Sequence, residues 1–224
     1  MLEISEWIGV ADLAQPGSDK TVYTIKKNAK AELIEKKSRF IAYAVKTSNE
    51  EQALSELATI KALYPDATHH TYAYIINDDN TFYQRYSDDK EPSGTAGLPI
   101  LSILQKNNLE NVLIVVVRYF GGALLGTGGL VRAYKASAKA AVLQAGLAKR
   151  VYCAVLKLTV DYSEFEKIKN ILNQYEILDI CYEGQVVVRF ALPYLKEEQE
   201  VGRINELVKN KFEIVREKNI FMEI

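Results

Sequence analysis

Asn111-Val112-Leu113-Ile114-Val115-Val116-Val117-Arg118 is followed at once by Tyr119-Phe120-Gly121-Gly122-Ala123-Leu124-Leu125-Gly126-Thr127-Gly128-Gly129, and then by Leu130 to Ala145. The stretch reads strand, glycine-rich loop, helix. The apolar run from Val112 to Val117 is rich in β-branched residues and does not alternate with polar ones, which suits a strand buried on both faces. Five of the chain's 12 glycines fall between positions 121 and 129. So dense a set lets the backbone take positive φ and approach a neighbour closely.

Thr127 suits the N-cap of the helix, and Gly146 the position just past its end. Unpaired N–H groups at a helix start carry partial positive charge and favour an anion. Arg118 closes the strand, while Arg132, Lys135 and Lys139 stand at i, i+3 and i+7 on one stripe of the helix. Those cations, with Gly121, Gly122, Gly126, Thr127, Gly128 and Gly129, make a candidate site for an anion, a nucleic acid or a partner. The plainer alternative is a structural turn beside a solvated basic face, since the turn itself needs glycines.

Outward from this stretch the chain divides. Gln15-Pro16-Gly17-Ser18-Asp19 is a turn or linker by composition, which sets residues 1–20 apart as an N-terminal appendage. Ala31 to Glu35 and Arg39 to Val45 read as strands around Lys36-Lys37-Ser38. Ser48-Asn49-Glu50-Glu51 is a capping box; Leu54, Leu57, Ile60 and Tyr64 give the helix behind it an apolar face, and Pro65 follows its end. His70 to Ile76 and Thr81 to Tyr86 are strands around Asn77-Asp78-Asp79-Asn80. The long polar loop Ser87-Asp88-Asp89-Lys90-Glu91-Pro92-Ser93-Gly94-Thr95-Ala96-Gly97 then precedes a helix from about Pro99 to Asn107. Loops of that length and polarity tend to carry function, so Glu91, Ser93, Gly94 and Thr95 join the candidate site, with His70 from the strand before them. This loop and the glycine loop are expected side by side, forming the main concave polar surface.

Beyond a boundary near Gly146 to Arg150 the rhythm changes. Val151 to Val160 alternates as a strand with Tyr152, Ala154, Leu156, Leu158 and Val160 on one face. Asp161 with Glu164 caps a helix that turns Phe165, Ile168 and Leu172 inward. Ile177 to Tyr182 and Gln185 to Leu192 form a hairpin, a helix runs near Lys196 to Asn210, and a strand from Phe212 to Phe221 closes the set. The order β-α-β-β-α-β is ferredoxin-like. The expected class is therefore α+β, with domains at residues 21–146 and 150–224. In that topology Cys153 and Cys181 stand on strands separated by a third, so they are expected as free thiols, with Cys153 on the open face.

Composition narrows the function. A content of 48% hydrophobic and 25% charged residues is that of a globular chain, and a net charge of −1 argues against nucleic-acid binding by bulk charge. Any such binding needs a local patch, and sequence-specific DNA recognition is not expected. No apolar run approaches the ~20 residues of a membrane helix. The acidic start Met1-Leu2-Glu3-Ile4-Ser5-Glu6-Trp7 lacks the basic residues of a signal peptide. Two cysteines make neither a disulfide framework nor a metal-ligand spacing. A cytosolic monomer without membrane contact is the economical expectation.

The chain resembles the IMPACT/YigZ family, in its two-domain bacterial form. The resemblance rests on Lys37-Ser38-Arg39-Phe40-Ile41, Pro65-Asp66-Ala67-Thr68-His69-His70 and Glu91-Pro92-Ser93-Gly94-Thr95-Ala96-Gly97. It is strongest over Val116-Val117-Arg118-Tyr119-Phe120-Gly121-Gly122 and Leu125-Gly126-Thr127-Gly128-Gly129-Leu130-Val131-Arg132-Ala133-Tyr134. It runs from about Tyr23 to the C-terminus. It implies a two-layer α/β N-terminal domain similar to the second domain of a small-subunit ribosomal protein, and a ferredoxin-like domain similar to one in elongation factor G. It also implies translation regulation, since eukaryotic relatives compete for the activator of a stress-responsive initiation-factor kinase. No catalytic residues and no cofactor come with it. Two departures stand out. The family usually has Asp-Gly-Glu where this chain has Asp89-Lys90-Glu91, which puts a lysine where glycine avoids a steric penalty. Some relatives carry a lysine at the position of Leu124.

Enzyme chemistry finds little footing. No Gly-Lys-Ser/Thr follows the glycine loop, and no strand–GxGxxG–acid constellation appears. Asp88, Asp89 and Glu91 as a magnesium site compete with the reading of a solvated acidic loop. His69 and His70 point to opposite faces of a strand and cannot share a metal. Ser93 lacks a Gly-x-Ser-x-Gly elbow and reads as a turn hydroxyl. The open face of the second domain, with Val155, Lys157, Thr159, Val187 and Arg189, offers no aromatic for base stacking. The sequence thus points to a non-catalytic protein that binds RNA, the ribosome or a translation-associated protein. The alternative is a phosphate- or nucleotide-binding enzyme using the glycine loop.

Overall fold

A computed structural model of the chain describes residues 21–77, 82–209 and 211–223. The appendage of residues 1–20 and the tip of the turn at 78–81 lie outside the described residues. The chain divides into two compact units, the described part of the first running Thr21–Lys149 and that of the second from Arg150 onward.

The first unit contains β1 (Val22–Ile25), β2 (Ala29–Glu35), β3 (Ser38–Lys46), α1 (Glu50–Leu63), β4 (His69–Asn77), β5 (Phe82–Ser87), α2 (Gly97–Lys106), β6 (Val112–Tyr119) and α3 (Thr127–Ala145). Its sheet has the order β2-β3-β6-β4-β5, antiparallel throughout. The unbroken apolar run therefore occupies the centre: every residue from Val112 to Val117 is fully buried. Alternation assigns its two faces. Val112, Ile114 and Val116 pack with Phe40, Ala42, Ala73 and Ile75 under α2 and α3. Leu113, Val115 and Val117 pack with Ile41, Tyr74 and the α1 residues Ala53, Leu57 and Ile60. The α/β expectation holds, and α1 clothes the sheet's second face as well.

The cap of α1 sits one residue later than Ser48. Asn49 is the N-cap, its side chain accepting the Gln52 N–H at 2.8 Å, while Gln52 reaches back to the Ser48 N–H at 2.8 Å. An extended Asn with Gln three residues on satisfies the same donors as Ser with Glu, so the sequence alone admits both frames.

The second unit is built on β7 (Leu147–Val160), α4 (Tyr162–Leu172), β8 (Glu176–Glu183), β9 (Gln185–Pro193), α5 (Glu197–Val208) and β10 (Phe212–Glu223). β7 begins within the first unit, where β1 pairs with it. The order β10-β7-β9-β8, antiparallel at each step, is the ferredoxin-like arrangement. Ala154, Leu156, Leu158 and Val160 face Phe165, Ile168 and Ile204 of the helices. The Asp161–Glu164 capping box does not form. The buried Glu164 carboxylate accepts from Lys167 at 2.6 Å instead, and Asp161 accepts from Gln185 at 2.9 Å.

Cys153 and Cys181 are free thiols, with β9 between their strands. Cys153 is not on an open surface, however. It is 4% exposed in an apolar cluster with Val155 and Ala191, and burial pushes its thiol up to about 11. Strand alternation names the face correctly but does not say whether that face is covered. Arg189, expected on an open face, is 40% exposed in its side chain and is held by Glu217 at 2.6 Å.

Candidate functional site

Arg118 is the last buried residue of β6, and its parity with Val112, Ile114 and Val116 sends it under α3 rather than outward. Nη1 donates to Oε1 of Glu91, Nη2 donates to Oγ of Ser38 at 3.3 Å, and the guanidinium lies 5.3 Å from the centre of the Phe40 ring. Glu91 also accepts the Tyr134 hydroxyl at 2.7 Å, and Nε2 of His69 stands 3.6 Å away. Burial, together with the Glu91 carboxylate, drives the Tyr134 phenol far above its usual pKa, so it remains a donor. Phe40 meets the Tyr134 ring edge-on at 5.2 Å. Arg118 is thus an internal cation neutralised by Glu91, not a member of the surface stripe.

The polar loop is equally self-contained. Asp88 accepts the backbone N–H groups of Gly94, Ala96 and Gly97 at 2.8, 3.0 and 2.8 Å. Asp89 accepts the His70 N–H at 2.6 Å, and the buried Thr95 hydroxyl donates to the Pro92 carbonyl at 2.6 Å. Lys90 takes φ 68° where relatives usually place glycine, and Gly94 takes φ 75°, so the turn survives with a lysine in it. Ser93 is exposed. The carboxylates of Asp88, Asp89 and Glu91 all accept donors from the protein itself, and among the described residues no three potential ligands gather as a metal site would require.

His70 needs a correction. Its ring lies on the α1 side, with Nε2 2.9 Å from the Tyr64 carbonyl oxygen, and it meets the loop mainly through its backbone N–H. His69 is the histidine whose ring turns toward Glu91. The two rings face opposite sides of the strand, and the His70 ring also keeps its Nδ1 3.9 Å from the Asp89 carboxylate.

In the glycine loop, Gly121 donates its N–H to Oγ of Ser38 at 3.2 Å. A Cβ there would stand 2.0 Å from the Lys37 carbonyl carbon, so only glycine fits against that turn. Thr127 is not the N-cap: Gly126 is, at φ 73°, and no side chain caps α3. A positive φ at the cap excludes threonine and leaves the first amides of the helix without side-chain partners. Gly122 and Gly128 are exposed, Gly129 partly so. Gly146 ends α3 at φ 69°, its N–H donating to the Val142 carbonyl.

The two loops share one end of the sheet, joined through Arg118, Glu91 and Tyr134. A groove lies beside the glycine loop, between β2 and α3. Its floor is Leu33, Leu125, Ala133 and Ala136, and its rim carries Lys36 and Arg132, with Glu35 beside them. Lys36, read from the sequence only as part of a polar turn, stands at this rim, and both it and Lys37 hold positive φ (45° and 66°). Among the described residues, Lys36, Lys37, Arg132 and Lys135 have no carboxylate partner, whereas Lys139 makes a contact of its own. Tyr134 and Ser38, which complete the internal network, were also missed. Both lie in the motifs quoted above, but burial, not residue type, gives them their roles.

Residues 36–142 match the Impact N-terminal domain. The chain is 38% identical over 156 residues to the IMPACT family member YvyE of Bacillus subtilis, covering 70% of this chain and 71% of that protein. It is 33% identical over 183 residues to the IMPACT family member YigZ of Escherichia coli, covering 80% and 90%. A crystal structure described as that of a hypothetical protein superposes with a TM-score of 0.58 at 30% identity, over 90% of this chain and 99% of that one. The chain belongs to the IMPACT family.

Proposed function

We propose that the chain is a non-catalytic cytosolic protein of translation, which binds ribosomal RNA or a translation-associated protein through the basic face of its first unit. One observation carries the reading: the acids, the buried arginine and the tyrosine at this end neutralise one another inside, while Lys36, Lys37, Arg132 and Lys135 face outward without carboxylate partners. A site built for group transfer needs a positioned acid or base reachable by substrate. Here Glu91 is 8% exposed and spoken for. Outward cations beside an aliphatic groove suit adhesion instead. Family membership supports the translation context.

The test is co-sedimentation with ribosomes from a lysate over a salt series. Wild-type protein should associate at low salt and dissociate as salt rises, because ion pairs at an exposed surface are screened. Replacing Arg132 and Lys135 together by alanine should abolish most of the association. No association by the wild type at any salt concentration removes the translation reading.

A further inference from the structure

The groove combines two chemistries that a surface for phosphates does not need together. Its floor is aliphatic, from Leu33, Leu125, Ala133 and Ala136, and its volume is about 270 Å³. That is below the ~300–1,000 Å³ of pockets that hold drug-sized ligands and cofactors. It suits one large side chain. Beside it Leu124 is 85% exposed at the crest of the glycine loop, which extends the apolar surface outward.

A nucleobase fits this floor poorly. Bases are held by stacking on aromatic or guanidinium planes and by hydrogen bonds to their edges. Among the described residues, no aromatic ring lines the groove. The rim, by contrast, offers charge: Lys36 and Arg132 border the groove, Lys37 continues the turn, and none has a carboxylate partner among the described residues. Glu35 keeps the rim from being uniformly cationic, and so selects the sides on which an acidic chain can approach.

We propose that this groove docks an acidic segment of a partner protein, one apolar side chain filling the hollow while flanking carboxylates meet Lys36 and Arg132. The inference rests on the reading of this face as the docking surface and narrows its partner to a protein. An apolar anchor ringed by charges is the usual energetic layout of such contacts.

Fluorescence anisotropy on the full chain tests it with three labelled probes: a short peptide of Asp and Glu around one central Phe, the same peptide with a central Ala, and an oligouridine of equal charge. The Phe peptide should bind about tenfold more tightly than the Ala peptide. Ala136→Leu, at an exposed helical position, should fill the groove and erase that advantage, while Arg132→Ala weakens both peptides. Independently of any variant, the methyl resonances of Leu33 and Leu125 should shift with the Phe peptide and not with the Ala peptide. Equal binding of the two peptides, or no binding of either at low salt, overturns the proposal. So does an oligouridine that outcompetes the Phe peptide and ignores Ala136→Leu. In that case ribosome association can still stand, whereas peptide binding without ribosome association would remove the translation reading and keep the groove.

Discussion

Arg118 and Arg132 bracket the same glycine loop, and the fold puts them to opposite uses. Arg118 is 5% exposed, sealed between Glu91, Ser38 and the Phe40 ring. Arg132 is exposed on α3, its Nη1 3.5 Å from where a Cβ on Gly128 would stand. Inside, Arg118 is matched by Glu91, and without that partner it would carry its full desolvation penalty. Outside, mismatch costs little in water, so cations without partners there are free to meet a ligand. The contrast separates a buried network from an exposed basic face a few residues away.

The sharpest way to break that contrast is Glu91→Ala. It strands a buried guanidinium, so unfolding in urea should reveal a loss of about 3–5 kcal/mol. Adding Arg118→Met should restore much of it, since an apolar replacement of both partners removes the stranded charge. A cost under about 1 kcal/mol would mean that water reaches Arg118, and the inside–outside division would fail.

Two glycines of one loop sharpen it next. Gly121→Ala drives a Cβ into the Lys37 backbone at 2.0 Å, and should cost about 3 kcal/mol as the turn is pushed away. Gly128→Ala meets nothing closer than 3.5 Å and should be neutral or slightly stabilising, by up to about 1 kcal/mol, since alanine favours helix. Denaturation midpoints for the pair would show whether glycine density serves packing or exposure. Between these falls Tyr134→Phe, which removes one hydrogen bond to a charged acceptor and should cost about 2 kcal/mol.

Much of this was legible beforehand. A β-branched run without alternation suits a strand buried on both faces, and the β-α-β-β-α-β order could be counted off the chain. What stayed hidden were properties of pairs. Nothing local to Arg118 says that Glu91 will come to it from another loop, and a strand's parity is lost by a one-residue error, as between His69 and His70. Capping frames shift for the same reason, because Ser48 and Asn49 offer equivalent acceptors. Cys153 shows the complementary limit: alternation names a face, and only the assembled chain says whether it is covered.

The smallest effect concerns the turn at the rim of the groove, and its sign is reversed. Lys36 and Lys37 are the two central residues of the β2–β3 hairpin, and both hold positive φ. That is the backbone of a type I′ turn, for which Asn-Gly is the favoured pair. Lysine there bears a steric cost that glycine does not. Replacing Lys36-Lys37 by Asn-Gly should therefore stabilise the protein by roughly 1 kcal/mol in urea. Because Gly121 packs on the Lys37 backbone and not on its side chain, the internal network should be untouched. The same variant should bind the acidic Phe peptide more weakly, since the rim cation Lys36 and its neighbour Lys37 are gone. More stability with less binding is the outcome expected where a surface residue is kept for its partner. A variant that is destabilised would show that the lysine side chains support the fold, and the two arginines would no longer mark two separate regions.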